Sequence, residues 1–299
     1  MEIFLDARAA RAILDAAAAG PGSRTLEVSL DLNLGRRRVD VAIDAFVVEG
    51  TPIPLPGIEP IAAAGRKAFR LTTGQAEESR DPAGAGWEPL EVFAGGYHQL
   101  VATPGSPTVE IDGIQMHRTS GTDPFESAGL AARSVVRSGH RVLDTCGGLG
   151  YTAIQAVRAG ASEVVSAEPG AGVLHLRRLN PWSRLEDGLP IRLLEEDAAT
   201  LASRLEPGSF DAIIHDPPRF SLAPDLYSAA FYVRLRSLLA PGGRIFHYTG
   251  SPYSRGRGRD FLGGVVERLR EAGFRVEPRE DLQGFLLTVA RGRRKADRT

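Results

Sequence analysis

The sequence predicts an α/β protein built on a doubly wound, mostly parallel sheet, with a β-rich domain ahead of it. Three observations carry this. From residue 139 onward short apolar runs alternate with helical patterns: RVLDTC then YTAIQAVRAG, EVVSAE then AGVLHLRRLN, IRLLEED then AATLASRL, FDAIIHD then DLYSAAFYVRLRSLL, RIFHYTG then RDFLGGVVERLREAG. Strands alternating with helices form βαβ units, whose sheet is covered on both faces. The last two runs, FRVEP and FLLTVARG, have no helix between them, so the seventh strand is expected to pair antiparallel. Ahead of residue 116 the signals are those of hairpins and turns.

Residues 2–19 read as an Ala-rich helix. Leu26, Val28 and Leu30 alternate with polar residues, as do Val39, Val41 and Ile43, and the Asn33-Leu-Gly turn between them predicts a β-hairpin. Pro52, Pro54, Pro56 and Pro60 are expected to break regular structure, and residues 72–91 to form an exposed loop. TVEI, Asp112-Gly113 and IQMHR predict a second hairpin, because that turn needs positive φ at both central residues. The expected organisation is a β-rich domain over 1–115, a connecting segment over 116–139, and the sheet domain with a basic tail over 140–299.

The chain has 299 residues, enough for two domains, and 42% hydrophobic against 24% charged residues excludes wholesale disorder. No apolar run approaches the ~20 residues of a membrane span. Asp6 and Asp15 interrupt the N-terminal stretch where a signal peptide is apolar, and a lone cysteine, Cys146, excludes internal disulfides. A cytoplasmic address without membrane attachment is therefore expected. Residues 1–130 hold 11 basic and 18 acidic side chains, and residues 131–299 hold 25 and 19. Much of the second excess sits in the tail Arg291–Thr299, which is as consistent with a solvated end as with an anionic partner.

The chemistry-bearing residues lie at the ends of successive predicted strands, where open parallel sheets bind ligands. The first strand runs into Asp144-Thr-Cys-Gly-Gly-Leu-Gly150, with a helix from Tyr151. Glycines between strand and helix let the backbone approach a ligand. The second strand ends in Glu168, placed for a ribose, the third in Asp197 followed by Ala198, placed for an adenine amino group, and the fourth in Asp216-Pro217-Pro218-Arg219.

In this order the motifs resemble those of the class I S-adenosylmethionine-dependent methyltransferases, over residues 140–292. The resemblance implies a Rossmann-like seven-stranded fold and S-adenosylmethionine as cofactor. It implies that Asp144 lies near the methionine end, that Gly148 and Gly150 pass beneath it, that Glu168 holds the ribose and Asp197 the adenine. Cys146 stands where the usual pattern has its first glycine; as an ordinary residue it is a small packing group. Asp216-Pro-Pro-Arg resembles the Asn/Asp-Pro-Pro-aromatic motif of methyltransferases acting on amines. There a carboxylate oxygen and the following carbonyl accept the amine hydrogens and aim the nitrogen lone pair. Arg219 occupies the aromatic place, with Phe220 one residue later.

A second resemblance is to the spermidine synthases, through YHQLVATPGSPTVEIDGIQ, FDAIIHD and LYSAAFYVRLRSLLAPGG. Their Asp-Ser-Ser-Asp becomes Asp216-Pro-Pro-Arg219, a cation replacing an amine-binding acid, and the acid of their Gly-rich loop becomes Leu149. Both changes favour methyl over aminopropyl transfer. Taken whole, the chain most resembles a group of predicted methyltransferases found chiefly in archaea and related to the spermidine synthases.

The expectation is thus a methyltransferase acting on a nitrogen of a nucleobase, a small amine or a protein side chain. An aminopropyltransferase and a non-catalytic cofactor-binding module are the alternatives. Arg118 is a candidate for the cofactor carboxylate, or a simple partner of Asp123 or Glu126. Tyr227, His247, Tyr248 and Phe220 are candidates for the substrate pocket, and His215 reads as structural. Arg255, Arg257 and Arg259 can clamp an anion or form a solvated loop. No histidine spacing suggests a metal.

Overall fold

A computed structural model describes residues 2–72, 86–250 and 257–290, without the side chains of 257–260. The Arg255 loop position and the basic tail lie outside them, as do 73–85 of the expected exposed loop. The chain forms two compact units: Met1–Phe125 with Ala171–Leu185, and Glu126–Gly170 with Glu186–Thr299.

In the first unit, Arg24–Val28, Arg37–Val41, Ala45–Val48 and Thr51–Pro54 form an antiparallel sheet in chain order. A second sheet runs Phe4–Asp6, Ala68–Leu71, Trp87–Pro89, and a third runs from Glu91–Phe93 through Tyr97–Val101 and Thr108–Ile111 to Ile114–Gln115. Asp112 (φ 48°) and Gly113 (φ 78°) close the last hairpin with the two positive φ values that Asp-Gly predicts.

Three local expectations are corrected. The helix begins only at Ala7, because Asp6 caps it by accepting from the Ala9 N–H at 2.8 Å, while Phe4–Asp6 pair as a strand. Pro52 and Pro54 do not break structure: they sit in an edge strand, exposed, with Ile53 between them buried in the core. Proline is tolerated there because its missing N–H faces no partner. Trp87–Pro89 is a strand rather than loop, with Trp87 buried beside Ile3, Leu5 and Ile13.

The second unit holds one seven-stranded sheet. Its elements are α1 (Pro124–Val135, which begins in the first unit), β1 (Arg141–Asp144), α2 (Tyr151–Arg158), β2 (Glu163–Ala167), β3 (Ile191–Leu194), α3 (Ala198–Arg204), β4 (Phe210–His215), α4 (Ala229–Leu238), β5 (Leu239–Tyr248), α5 (Arg257–Glu271), β6 (Phe274–Arg279) and β7 (Gly284–Val289). The strand order is β3-β2-β1-β4-β5-β7-β6, parallel from β3 to β5, with β7 antiparallel to both neighbours.

Alternate residues along these strands enter two separate cores. Leu143, Val165, Ile213, Ile245 and Leu287 pack with Leu201, Phe231, Leu235, Val265 and Leu269 of α3, α4 and α5. Val142, Val164, Ile214, Phe246 and Leu286 pack with Ala132, Val135, Ala153 and Ala156 of α1 and α2. This two-sided burial is why the strands read as continuous apolar runs. The helix Ala171–Leu179, which follows β2 in the chain, belongs to the first unit, where Gly172 leaves no space for a Cβ against the His98 ring.

Candidate functional site

The strand order reverses between β1 and β4, with β2 and β3 on one side and β4 and β5 on the other, so the carboxyl ends of these two parallel strands open on a crevice. Asp144 is the last residue of β1, and Asp216 directly follows β4. Asp144 is fully buried and accepts the Ser166 hydroxyl at 2.8 Å on Oδ2. Asp216 keeps partial solvent access, yet burial, followed by the charge of Asp144, pushes its carboxyl up to about 7. The cause is physical, since the protein by itself offers Asp216 a neighbouring acid and little water.

The Gly-rich turn is closed by its own backbone. Gly147 N–H donates to the Ala167 carbonyl at 2.7 Å, and Gly150 N–H to the Gly147 carbonyl at 2.7 Å. Gly148 N–H donates to Glu168 Oε2 at 2.8 Å, and Gly170 N–H to Oε1 at 2.8 Å. Gly150 caps α2 in the left-handed region (φ 84°), a conformation that costs a side-chain-bearing residue energy. Leu149 and Tyr151 are buried beside it. The Cys146 thiol is pushed well up by burial, with Asp144, Glu168 and Asp216 adding to the shift, which favours its protonated form.

This arrangement discriminates between ligands. A turn that cradles a pyrophosphate presents its N–H groups to the ligand. Here the N–H groups of Gly147, Gly148 and Gly150 are all engaged within the protein, and Asp144, Glu168 and Asp216 surround the turn. These three N–H groups are not offered to a phosphate, and the acids around the turn would attract positive charge.

The turn after β4 has the opposite character. Pro217 and Pro218 bring no N–H. Among the described residues no hydrogen bond ends on the carbonyls of Asp216 or Pro217, whereas the Tyr227 hydroxyl donates to the Pro218 carbonyl at 2.8 Å. Arg219 is exposed, and its carbonyl accepts from Leu222 N–H at 2.8 Å. Phe220 is 44% exposed and meets Tyr227 and Phe261 edge-on or tilted, with ring centroids 5.6 and 5.5 Å away.

The other candidates divide by burial. Tyr227 is buried, and burial together with Asp216 raises its hydroxyl pKa. His247 is wholly buried behind the turn, while Tyr248 is half-buried and donates to Gln283 Oε1 at 3.1 Å. Asp197 is exposed at the N-terminus of α3, where Oδ1 accepts from Thr200 N–H at 2.8 Å; the Thr200 bonds hold its carboxyl below the usual range. Ala198 is buried as the first residue of that helix. Arg118 belongs to the first unit, in the segment after its last hairpin. Every other sequence-predicted site residue lies in the second unit.

Sequence reasoning missed Ser166, Thr145 and Tyr232, which hold site residues from behind. Ser166 carries a signal, as a hydroxyl within an otherwise apolar strand next to β1. Thr145 carries none beyond its place inside the motif. Among the described residues no group of three His, Cys, Asp or Glu side chains is arranged to hold a metal, and no helix is long and apolar enough to cross a membrane.

No family model matches the chain. An uncharacterized protein of Methanocaldococcus jannaschii is 48% identical over 180 residues, 60% of this chain and 62% of that protein. A polyamine aminopropyltransferase of Mycobacterium tuberculosis is 31% identical over 147 residues, 46% of this chain and 27% of that protein. The chain therefore spans less than two thirds of either curated relative. A spermidine synthase in complex with the transition-state analogue AdoDATO superposes with a TM-score of 0.54 at 17% identity, covering 62% of this chain and 66% of that one. The spermidine synthase of Thermotoga maritima gives 0.53 at 16% identity, covering 69% and 75%. At these identities the likeness is one of fold alone, a Rossmann-like, methyltransferase-type sheet.

Proposed function

We propose that this chain is an S-adenosylmethionine-dependent methyltransferase that acts on a nitrogen nucleophile. The observation that carries the proposal is the acceptor-only turn at Asp216-Pro217-Pro218, beside a Gly-rich turn ringed by acids. A carboxylate and two carbonyls, with no N–H from either proline, match a substrate that brings hydrogen-bond donors, as an amine does.

The residues present fit the cofactor. Glu168, its position set by Gly148 and Gly170, would take the ribose hydroxyls, and Asp197 with Ala198 the adenine edge. Gly148 and Gly150 would pass beneath it. Bound there, the cofactor would supply an electrophilic methyl group on a positively charged sulfur, a charge that Asp144 and Asp216 suit. Asp216 and the neighbouring carbonyl would accept the amine hydrogens and orient the lone pair, an alignment worth roughly 7–11 kcal/mol in the best cases. Raised to about 7 in the free protein, the Asp216 carboxyl would be drawn down by the positive sulfur and, as a carboxylate, would receive the amine's proton.

Aminopropyl transfer is the second reading, favoured by the likeness to the spermidine synthases. Two features oppose it. Arg219 stands exposed where those enzymes carry an acid, and would repel a polyamine. Leu149, at the other acid position, is fully buried. Calorimetry with S-adenosylmethionine, its decarboxylated form and a nicotinamide dinucleotide separates these readings. Preference for the first supports methyl transfer, and preference for the second overturns it. Tight binding with no turnover on RNA, protein or small amines would leave only a cofactor-binding module. A nucleic-acid acceptor would show a salt slope of about −0.7 to −0.9 per neutralised phosphate; a small amine would show none.

A further inference from the structure

Behind the two turns lies a buried polar chain that the proposed transfer does not itself use. His215, the residue before Asp216, is 0% exposed, as is His247 on the adjacent strand, and their rings meet at a tilt of 43° with centroids 4.5 Å apart. His215 Nε2 lies 3.0 Å from the Leu226 carbonyl, which can only accept, so this nitrogen carries the proton. Its Nδ1 then accepts the Thr145 hydroxyl at 2.8 Å. His247 has the opposite tautomer: Nδ1 donates to the His215 carbonyl at 3.3 Å, and Nε2 accepts the Tyr232 hydroxyl at 2.9 Å. Burial holds both rings in the neutral form this pattern requires.

The ends of this chain are informative. Thr145 is the residue after Asp144, inside the Gly-rich turn. Leu226 precedes Tyr227, whose hydroxyl holds the Pro218 carbonyl. One imidazole therefore bonds the turn assigned to the cofactor and the segment that backs the acceptor-only turn. An aliphatic side chain would fill the same space among Phe231, Tyr227 and Tyr232 without making either bond.

We propose that His215 is a positioning residue that ties the segment 219–228 to the Gly-rich turn through Thr145 and Leu226, so that ligand at one orders the other. The ligand-dependent half rests on the methyltransferase reading; the tie itself does not.

Hydrogen exchange tests both halves, with S-adenosylhomocysteine as the probe. The reporters are the amides of Leu222, Leu226 and Ser228, each bonded within the segment. In the free protein, Thr145→Val and His215→Leu are expected to speed their exchange about three- to tenfold, the factor one lost buried hydrogen bond implies. His215→Gln, which keeps a donor for the Leu226 carbonyl, should restore most of that protection. Saturating probe should slow these amides further in the wild type but not in Thr145→Val or His215→Gln. If His215→Leu exchanges like the wild type, the ring only fills space and the proposal is overturned. If the probe protects 144–150 and 168–170 but leaves 219–228 unchanged, the coupling is overturned while cofactor binding stands. If the probe does not bind at all, the methyltransferase reading fails, and the free-protein comparison still decides whether the tie exists.

Discussion

The turns after β1 and β4 leave the same sheet edge side by side, yet they are built in opposite ways. The first is closed on itself, with Gly147, Gly148 and Gly150 donating to Ala167, Glu168 and Gly147. In the second, no hydrogen bond among the described residues ends on the Asp216 or Pro217 carbonyl, and Tyr227 holds the Pro218 carbonyl. A closed turn fixes the shape of a surface, whereas an open one presents chemistry. On the proposed reading the glycines would serve close approach rather than anion capture, and specificity for the acceptor would lie in the prolines and Asp216.

The largest expected effect falls on the open turn. Asp216→Ala should lower methyl transfer at least about a hundredfold, from lost proton acceptance and lost alignment together. Asp216→Asn, which keeps one acceptor oxygen, should fall less. S-adenosylhomocysteine, which lacks the positive charge, should bind both variants within about threefold of wild type. A lost affinity with turnover intact at saturation would move Asp216 to the closed side and erase the contrast.

Stability against pH sharpens it. A carboxyl raised from 3.8 to about 7 binds its proton more tightly in the folded state, so the folded protein loses stability as pH rises between about 4 and 7. About three units at 1.4 kcal/mol each sets an upper bound near ~4 kcal/mol, reduced in practice because Asp216 is partly exposed. Asp216→Asn should therefore unfold at a higher temperature than the wild type at pH 8, and at nearly the same temperature at pH 4. Equal differences at both pH values would show that the carboxyl is not raised.

The closed turn gives the next effect. Glu168→Ala should weaken cofactor binding by about 1.5–3 kcal/mol, the range for hydrogen bonds to a charged group. Because Glu168 also braces Gly148 and Gly170, exchange of those two amides should quicken even without ligand. The smallest effect is that of Tyr227→Phe, which deletes one bond to the Pro218 carbonyl and should cost about 1 kcal/mol of stability. Its turnover should drop by a few-fold with cofactor affinity unchanged.

The two turns also differ in how far they could be read from the sequence. The seven strands, their two-sided burial and the acids at their ends follow from period and position: Asp144, Glu168 and Asp216 each end or follow an apolar run. Glycine spacing announces the closed turn, although the bonds that close it reach Ala167 and Glu168 on the next strand end. The braces of the open turn, Tyr227 on the Pro218 carbonyl and His247 on the His215 carbonyl, follow no local pattern. The edge strand with Pro52 and Pro54 was hidden for a related reason. Proline is a breaker unless a neighbouring strand, here Ala45–Val48, pairs with the residues between.

The central claim is that the open turn directs methyl transfer to nitrogen. The most direct test supplies S-adenosylmethionine labelled in its methyl group, and separately the decarboxylated form labelled in its aminopropyl group, to fractionated RNA, protein and small amines. Wild-type protein should place the methyl label on a nitrogen of one fraction, Asp216→Ala should not, and the aminopropyl label should remain untransferred. Transfer of the aminopropyl label to an amine, or methyl transfer that survives Asp216→Ala undiminished, would contradict the account.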